Sequence, residues 1–250
     1  MDNRCNFGVS GGSIKEYMQD IDTSNTANGN PIYYLVGQNG TVLDGTPLGY
    51  LALINCNNIQ VKSISITNND IGLLLLNTAN SIFENCNFTD NSECGIYMWN
   101  STNNTFLANN IESNSCGLYF DSSPHNVLTN SNINYNGYGI YIVNSSENTL
   151  RNNILTENYR NFSIFGDITD HYQDIDVSNI VNGNPVYYLV KGDSLTFDGI
   201  PMGYLALISC NNITIKNISN IMTGNDNGIL LLNTTNSWIE NCTFQYNENS

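Results

Sequence analysis

The sequence is poor in basic residues, with 7 Lys and Arg side chains against 22 Asp and Glu and a formal net charge of -15 over 250 residues. Nucleic-acid binding requires Lys and Arg to neutralise phosphates, so this scarcity argues against it. No run approaches the roughly 18 uncharged apolar residues of a membrane helix, and we expect no membrane span. The 40% hydrophobic share is still sufficient for a folded core.

Charged residues are also scarce, at 12% of the chain where about 25% is usual. Asparagine takes their place, with 47 residues. Asn tolerates the left-handed backbone of tight turns, and its amide can hydrogen-bond to the local backbone or to an Asn stacked above it. The sequence therefore predicts many turns joined by Asn ladders. Two columns are expected to form such ladders: Asn77, Asn100 and Asn144, and Asn104, Asn126 and Asn148.

A short period is marked by Gly72, Gly95, Gly117 and Gly139, which stand 23, 22 and 22 residues apart and each open a short apolar segment. The segments are only three to five residues long and are rich in Ile, Leu, Tyr and Phe, which favours strands over helices. One such repeat cannot bury its apolar side alone, so successive copies must stack in parallel. We predict an all-β parallel β-solenoid with coils of about 22 residues.

A long period of 154 residues is superposed on the short one. Asp22–Lys62 and Asp176–Lys216 align without gaps and match at 25 of 41 positions. We predict a first module over residues 1–159, and a second, truncated module over residues 160–250 that continues the same solenoid.

The runs Asn28–Val36 and Gly49–Cys56, and the repeated Gly-Ile-Tyr followed by Asn-Ser-Ser/Thr, resemble the NosD-like right-handed parallel β-helix proteins with PbH1 repeats, which occur in tandem in archaeal cell-surface proteins. The resemblance implies a right-handed β-helix. Members of this group include sugar-binding, polysaccharide-cleaving, accessory and structural proteins, so the fold does not fix the function. The name NosD implies a role in copper-site maturation, which is one alternative for this chain.

The residues themselves give little sign of a metal or cofactor. There is no Cys-x-x-Cys pattern, and His125 and His171 are far apart in the sequence, whereas copper and zinc sites need clustered Cys, His or Met. We predict no cofactor and no metal site. A structural Ca²⁺ ion on the Asn- and Asp-rich turns remains an alternative, because Ca²⁺ accepts carboxylate and carbonyl oxygens in loose geometry.

Catalytic patterns are not recognisable either. Polysaccharide hydrolysis needs two carboxylates about 5 to 10 Å apart, and the strongest acidic candidates are Asp121, Asp44 and Asp198. The last two precede glycine and are interpreted as turn residues. No partner is apparent in the sequence for Arg151 or Arg160. We predict that the chain is not an enzyme and has no catalytic residues.

Tyr97, Tyr119 and Tyr141 fall at one position of three successive coils, and Trp99 lies two residues beyond the first of them. If Ile96 and its counterparts point inward, strand alternation turns these aromatic residues outward. One interpretation is simple packing of like residues along the solenoid. The other is a ligand strip or a subunit contact, because exposed aromatic patches mark interfaces.

Cys94 and Cys116 are 22 residues apart and both precede a strand glycine. They should lie one above the other, within reach of a disulfide. The other paired cysteines of the two modules are expected to be buried free thiols. Cys5 is left over and is a candidate for a link to another chain.

Seven cysteines and ten Asn-x-Ser/Thr sites favour an extracellular or cell-surface location, with glycosylation. The sites are Asn39, Asn87, Asn100, Asn103, Asn144, Asn161, Asn212, Asn217, Asn233 and Asn241. The leading hypothesis is a non-catalytic structural β-solenoid of a surface layer, sheath or filament that works through self-association or contact with neighbouring repeats. The alternatives are a carbohydrate-binding or polysaccharide-processing module and a copper-accessory protein. Polysaccharide is the alternative partner.

Overall fold

The computed structural model describes residues 5–218, 224–245 and 247. These residues form two short 3-10 helices, η1 (Ile14–Tyr17) and η2 (Ile168–His171), and many short strands. The first strands in chain order are β1 (Thr26–Ala27), β2 (Asn30–Val36), β3 (Val42–Asp44), β4 (Tyr50–Ile54), β5 (Gln60–Lys62), β6 (Ser65–Thr67), β7 (Ile71–Leu76), β8 (Ile82–Glu84), β9 (Asn87–Thr89), β10 (Cys94–Trp99), β11 (Thr105–Leu107), β12 (Asn110–Glu112), β13 (Cys116–Asp121) and β14 (Val127–Thr129). They are followed by β15 (Asn132–Asn134), β16 (Tyr138–Val143), β17 (Thr149–Arg151), β18 (Ile154–Thr156), β19 (Arg160–Phe165), β20 (Asp174–Ile175), β21 (Ile180–Val181), β22 (Asn184–Val190), β23 (Thr196–Asp198), β24 (Tyr204–Ile208), β25 (Thr214–Lys216), β26 (Leu230–Leu232) and β27 (Trp238–Glu240).

The strands stack into sheets that run along the solenoid. The first sheet has the order β1-β2-β4-β7-β10-β13-β16-β19, and the second has the order β20-β17-β14-β11-β8-β5-β3. The third sheet runs β6-β9-β12-β15-β18-β21 and then continues into β22, β24 and β26, while β23, β25 and β27 form a fourth sheet. Apart from the short β1–β2 and β21–β22 pairs, the ladders between these strands are parallel. The predicted all-β solenoid is confirmed, with about nine turns and about 22 residues per coil.

The repeated glycine has a steric cause. A Cβ atom at Gly72 would lie 2.6 Å from the carbonyl oxygen of Gly95 in the next coil, and one at Gly117 would lie 2.6 Å from that of Gly139. Stacked coils therefore approach too closely at this column for any side chain. This explains why the glycine sets the short period of the sequence.

Asparagine occupies the turns in two ways. Asn77 and Asn100 have φ angles of 50°, and Asn100 Nδ2 donates to Asn77 Oδ1 at 3.1 Å. The predicted continuation of this ladder to Asn144 is wrong, because Ser122 occupies the turn of the intervening coil. In the second predicted column, Oδ1 of Asn126 accepts the backbone N–H of Asn104 at 2.9 Å. Its own backbone N–H donates to Asn148 at 2.8 Å, so buried turns satisfy one another from coil to coil.

The interior is a column of apolar side chains from three faces of each coil. Phe83 and Phe106 stack with ring centroids 5.0 Å apart on successive strands of the second sheet, and both are fully buried. Full burial of a side chain of this size contributes about 1.5 to 3 kcal/mol. Stability therefore accumulates with the number of stacked coils.

The N-terminal residues cover part of the outer face of the first sheet. Tyr17, at the end of η1, is buried in a cluster with Tyr34, Tyr50 and Ile54. Phe7 meets Tyr50 edge-to-face, with centroids 4.8 Å apart. The outer face of β2, β4 and β7 is consequently a second apolar layer under a segment of the same chain.

The coil over residues 160–181 joins the two halves of the molecule. Its strands β19, β20 and β21 extend the three sheets of the first half, and β21 also pairs antiparallel with β22. Phe162 and Ile164 of this coil share a core cluster with Tyr188 and Tyr204, from the outer face of β22 and β24. The predicted module boundary between residues 159 and 160 stays a prediction, since this coil contacts both halves.

Candidate functional site

A column of tyrosines runs along the outer face of the first sheet. Tyr97, Tyr119 and Tyr141 are register partners on β10, β13 and β16. Their ring centroids are 5.2 and 4.9 Å apart at interplanar angles of 83° and 90°, which is the favourable edge-to-face geometry. All three side chains are half-buried. The structure thus brings together the three tyrosines that the sequence pointed to.

Strand alternation accounts for this orientation. Ile96 and Met98 flank Tyr97 on β10 and are fully buried in the solenoid interior. Trp99 points outward like Tyr97, but it lies against Tyr17 of η1 at a centroid distance of 6.4 Å. Trp99 lines a separate depression of about 560 Å³ with Ile14 and its neighbours. It therefore does not share the surface formed by Tyr119 and Tyr141.

Beyond the strands that the N-terminal residues cover, Tyr119 and Tyr141 of this column line a groove of about 410 Å³. Tyr138 completes its aromatic wall, with its ring centroid 5.0 Å from that of Tyr141. We call this the tyrosine groove, and it is lined by Ser92, Glu93, Cys94, Ser115, Cys116, Tyr119, Tyr138 and Tyr141. It combines an aromatic wall with hydroxyl and carboxylate groups on the opposite side.

A polar depression of about 600 Å³ adjoins the tyrosine groove. Ser92 and Ser115 line both cavities. We call it the amide groove, and it is lined by Asn68, Asp90, Asn91, Ser92, Ser113, Asn114, Ser115, Tyr135 and Gly137. The two grooves form one continuous surface across the turn that leads from the third sheet to the first.

Two carboxylates lie at the edge of the tyrosine groove, where sequence reasoning named none. The backbone N–H of Glu93 donates to the carbonyl of Asp70 at 2.9 Å, and Ser92 Oγ donates to Asp70 Oδ1 at 3.2 Å. Burial and the nearby charge of Asp70 raise the pKa of Glu93. The available signal was their spacing, because Asp70 and Glu93 are 23 residues apart, one coil, and each stands directly before a strand of the first sheet.

The tyrosine hydroxyls stay neutral in this setting. Burial, and then the negative charge of Asp121, raise the pKa of Tyr119 to about 12. The same two causes raise the pKa of Tyr97. Asp121 itself is the register partner of Trp99 and Val143, and it accepts a hydrogen bond from Ser122 at 2.9 Å. The hydroxyl groups of Tyr97 and Tyr119 therefore keep their protons and can donate hydrogen bonds at neutral pH.

Both arginines without an apparent partner in the sequence have one in the structure. Arg160 lies over the Tyr138 ring, 4.8 Å from its centroid, and pairs with Asp226 at 3.8 Å. Arg151 pairs with Asp174 at 2.5 Å and with Asp176 at 3.2 Å. Arg160, the first residue of the coil that joins the halves, thus stands beside the aromatic wall of the groove, whereas Arg151 pairs with that coil from the preceding coil.

Cys94 and Cys116 are register partners in the groove. Both are buried free cysteines, and the Cys116 thiol together with burial raises the pKa of Cys94. Their disulfide stays a prediction. Cys5 is exposed, and its role in a link to another chain also stays a prediction. The remaining cysteines are buried or half-buried free thiols: Cys56, Cys86, Cys210 and Cys242.

The other predicted residues lie away from the groove. Asp44 and Asp198 end β3 and β23 and precede glycines with positive φ. Nine of the ten sequon asparagines are exposed, and their glycosylation stays a prediction. Asn161 is fully buried and its amide donates to the Gly224 carbonyl at 2.6 Å, so a glycan at this position does not fit the fold.

Over residues 5–218, 224–245 and 247, His, Cys, Asp and Glu side chains nowhere gather in threes that could hold a metal ion. The structural Ca²⁺ ion stays a prediction. Within the same residues, the helices are too short to cross a membrane.

Comparison with solved structures finds other β-helices at low identity. A tailspike protein of E. coli bacteriophage HK620, in complex with a hexasaccharide, is 15% identical with a TM-score of 0.41, over 85% of this chain and 46% of that one. A second tailspike structure from the same phage is 13% identical with a TM-score of 0.41, over 83% and 44%. The periplasmic alginate epimerase AlgG is 15% identical with a TM-score of 0.34, over 83% and 48%. The chain spans less than half the length of each of these proteins.

The prediction that the chain is not an enzyme is wrong. It is contradicted by the alginate epimerase among the structures with this fold, because an epimerase is an enzyme. The prediction was drawn from missing motifs, and in a solenoid a site is assembled from positions one coil apart rather than from a contiguous motif.

Comparison with curated proteins gives no match. A family model described as "Right handed beta helix region" matches residues 49–199, more than half of the sequence. The predicted handedness of the solenoid is confirmed, and the narrower NosD-like resemblance stays an interpretation of the motifs. The chain belongs to the right-handed β-helix family.

Proposed function

We propose that this chain binds a polysaccharide along the tyrosine groove and the adjoining amide groove. The observation that carries the proposal is the stack of Tyr119 and Tyr141 in register, continued by Tyr138, as one wall of an open groove. Tyr rings offer an apolar face and a hydroxyl at once. This is the combination that suits a sugar ring, which has an apolar face and a rim of hydroxyls.

The amide groove supplies the polar half of such a site. Asp90 and Ser113 provide acceptors and donors beside the aromatic wall, and the continuous surface is longer than a single sugar. Ligand sites commonly combine apolar walls with a few placed polar groups. The arrangement therefore suits a chain of sugars lying across successive coils.

The acidic side chains at the two grooves indicate which class of polysaccharide can bind there. The groove carries Glu93 next to Asp70 and continues to Asp90, and the chain as a whole has a formal charge of -15. Like charges repel, and this field disfavours polyanions. We infer a neutral or amino-sugar polymer as the ligand. An extracellular location, proposed from the exposed sequons, would place the groove where such polymers occur.

The test is binding by the double variant Tyr119→Ser/Tyr141→Ser. Titration calorimetry with a panel of neutral, amino-sugar and acidic polysaccharides should show roughly tenfold to hundredfold weaker binding than the parent chain. The matched control is Trp238→Ser, which removes an exposed aromatic residue on β27 outside both grooves. Equal binding by the parent and the double variant would refute the proposal, provided that both melt at similar temperatures.

A second candidate function is that of a repeating scaffold in an extracellular layer or filament. It is favoured by the repetition of one strand pair in the two halves, since β2 pairs with β4 and β22 pairs with β24 in the same register. Light scattering and electron microscopy of the purified chain test this role. Growth of particles with concentration supports it, and a single monomeric species at every concentration counts against it.

A further inference from the structure

The N-terminal segment repeats the coil that joins the two halves. Gln19–Asn25 has the sequence Gln-Asp-Ile-Asp-Thr-Ser-Asn, and 173–179 has the same sequence with Val in place of Thr. In both places a short 3-10 helix precedes the run, η1 in the first case and η2 in the second. Residues 7–27 are therefore the counterpart of residues 162–181.

The two segments make the same contacts on one side, against the outer face of the strands that follow them. Tyr34 Oη donates to the carbonyl of Tyr17 at 2.6 Å, and Tyr188 Oη donates to that of His171 at 2.7 Å. Phe162 stacks on Tyr204 with centroids 5.5 Å apart, as Phe7 meets Tyr50. The short antiparallel pairs β1–β2 and β21–β22 also share their register.

On its other side, the junction coil (residues 160–181) contacts the preceding coil of the first half through polar side chains. The backbone N–H of Asn148 donates to Gln173 Oε1 at 2.9 Å. Those of Asn152 and Asn153 donate to Ser178 Oγ at 2.8 Å and to Asn179 Oδ1 at 3.2 Å. Arg151 adds the ion pairs with Asp174 and Asp176 already described.

In the N-terminal segment the same five polar side chains are present, but the described residues place no coil above them. They are Gln19, Asp20, Asp22, Ser24 and Asn25. The apolar residues of the two segments differ in burial. In the junction coil, Phe162, Ile164 and Ile175 are buried, with 0%, 8% and 4% exposure. Their counterparts Phe7, Val9 and Ile21 are only half-buried. The segment thus has the polar and apolar side chains that contact a neighbouring coil in the junction. Within the described residues, no coil lies on that side of it.

We propose that residues 7–27 form a docking surface for the last coil of another module of this same type. The occupant is a coil like residues 138–156, with Ile and Leu side chains facing inward and an arginine in the position of Arg151. That arginine would pair with Asp20 and Asp22, as Arg151 pairs with Asp174 and Asp176. Backbone N–H groups of its turns would donate to Gln19, Ser24 and Asn25.

Two features of the structure favour this occupant over a second copy of the whole chain. The coil at 138–156 of a second copy is already covered by its own residues 160–181. Strand β27 ends in Glu240, at the third position of its strand, whereas β17 has Arg151 at its third position. A carboxylate there would repel Asp20 and Asp22 instead of pairing with them.

The experiment is a tandem protein in which residues 1–159 directly precede residues 5–250 of a complete chain. The second copy carries Thr23→Val, the residue found at Val177, so that its peptides are distinguishable by mass. Hydrogen exchange of the amides at Asp20–Ile21 and Thr26–Ala27, followed in peptides of the second copy that contain residue 23, should be about 100-fold slower than in the single chain carrying the same substitution. Equal exchange rates would overturn the proposal.

Arginine variants of the tandem protein supply a matched control. Arg151→Ala in the leading copy should restore fast exchange at residues 19–25 of the second copy, whereas Arg151→Ala in the second copy should leave that segment protected. The opposite pattern would contradict the proposed ion pairs.

Cross-linking gives an independent measurement of the same docking. Ile154 and Ile180 are register partners in the junction, and Thr26 is the counterpart of Ile180. An Ile154→Cys/Ile180→Cys pair in the single chain and an Ile154→Cys/Thr26→Cys pair across the tandem junction should both form a disulfide under mild oxidation. A cross-link in the first protein but not in the second would also refute the docking.

Discussion

The two halves of the molecule present the same outer face but surround its acidic residue differently. Tyr50 and Tyr204 are buried at equivalent positions, and Asp70 and Asp226 follow each of them in the next coil. Asp226 pairs with Arg160. Asp70 makes no ion pair within the described residues, because Cys5 stands two residues before Phe7 where Arg160 stands two residues before Phe162.

This single exchange changes the chemistry of the neighbouring groove. In the second half the carboxylate is neutralised by an arginine. In the first half Asp70 has no such cation among the described residues, and burial together with the charge of Asp70 raises the pKa of Glu93. Two copies of one repeat that share the buried Tyr50 and Tyr204 can therefore differ in electrostatics where one copy has a cation and the other has a neutral residue.

The largest difference should be in packing. Phe162→Ala removes a ring that is fully buried between the coil above it and Tyr204, and we expect it to lower the free energy of unfolding by about 3 to 5 kcal/mol. Phe7→Ala removes the half-buried counterpart and should cost about half as much or less. Urea denaturation followed by circular dichroism measures both. Equal losses would mean that the N-terminal segment is packed as tightly as the junction coil.

The next effect concerns the ion pair that only the second half has. Arg160→Ala leaves Asp226, which is 5% exposed, without its cation. We expect a loss of about 2 to 3 kcal/mol, somewhat below the range for fully buried pairs because the Arg160 side chain keeps 17% exposure. Arg160→Lys is the conservative control and should restore part of the loss. No change in the urea midpoint for Arg160→Ala would show that the pair is not part of the junction's stability.

The sequence predicted those features that depend on one coil stacking on the next. The glycine column follows from close backbone approach, and the Tyr97, Tyr119 and Tyr141 column follows from a constant 22-residue step. The same logic could have found Asp70 and Glu93, which are one coil apart but lie just outside the strands. The register of a solenoid is therefore legible in a single sequence wherever its period is unbroken.

Features that depend on breaks in the period were not predictable in this way. The Arg160–Asp226 pair joins the coil between the halves to a residue 66 positions further along the chain, and no local pattern encodes that distance. The burial of Asn161, which removes one sequon, depends on the loop at Gly224 packing over the junction coil. The covering of Trp99 by Tyr17 depends on the path of the N-terminal segment. Each of these is a tertiary contact between segments that are not related by the 22-residue step of the coils.

The smallest effect is electrostatic and tests the comparison most directly. Cys5→Arg should give Asp70 the cation that Asp226 has, and the pKa of Glu93 should then fall toward its ordinary value. Glu93 has a raised pKa in the folded chain, so its contribution to stability is fully present below the unfolded pKa and is lost as the pH rises through the folded pKa. The variant should reduce that loss. Carbon-detected NMR titration of the Glu93 carboxyl measures the shift, with Cys5→Ser as the neutral control. If arginine and serine at this position give the same Glu93 titration, the absence of a cation beside Asp70 is not what sets the charge of the groove.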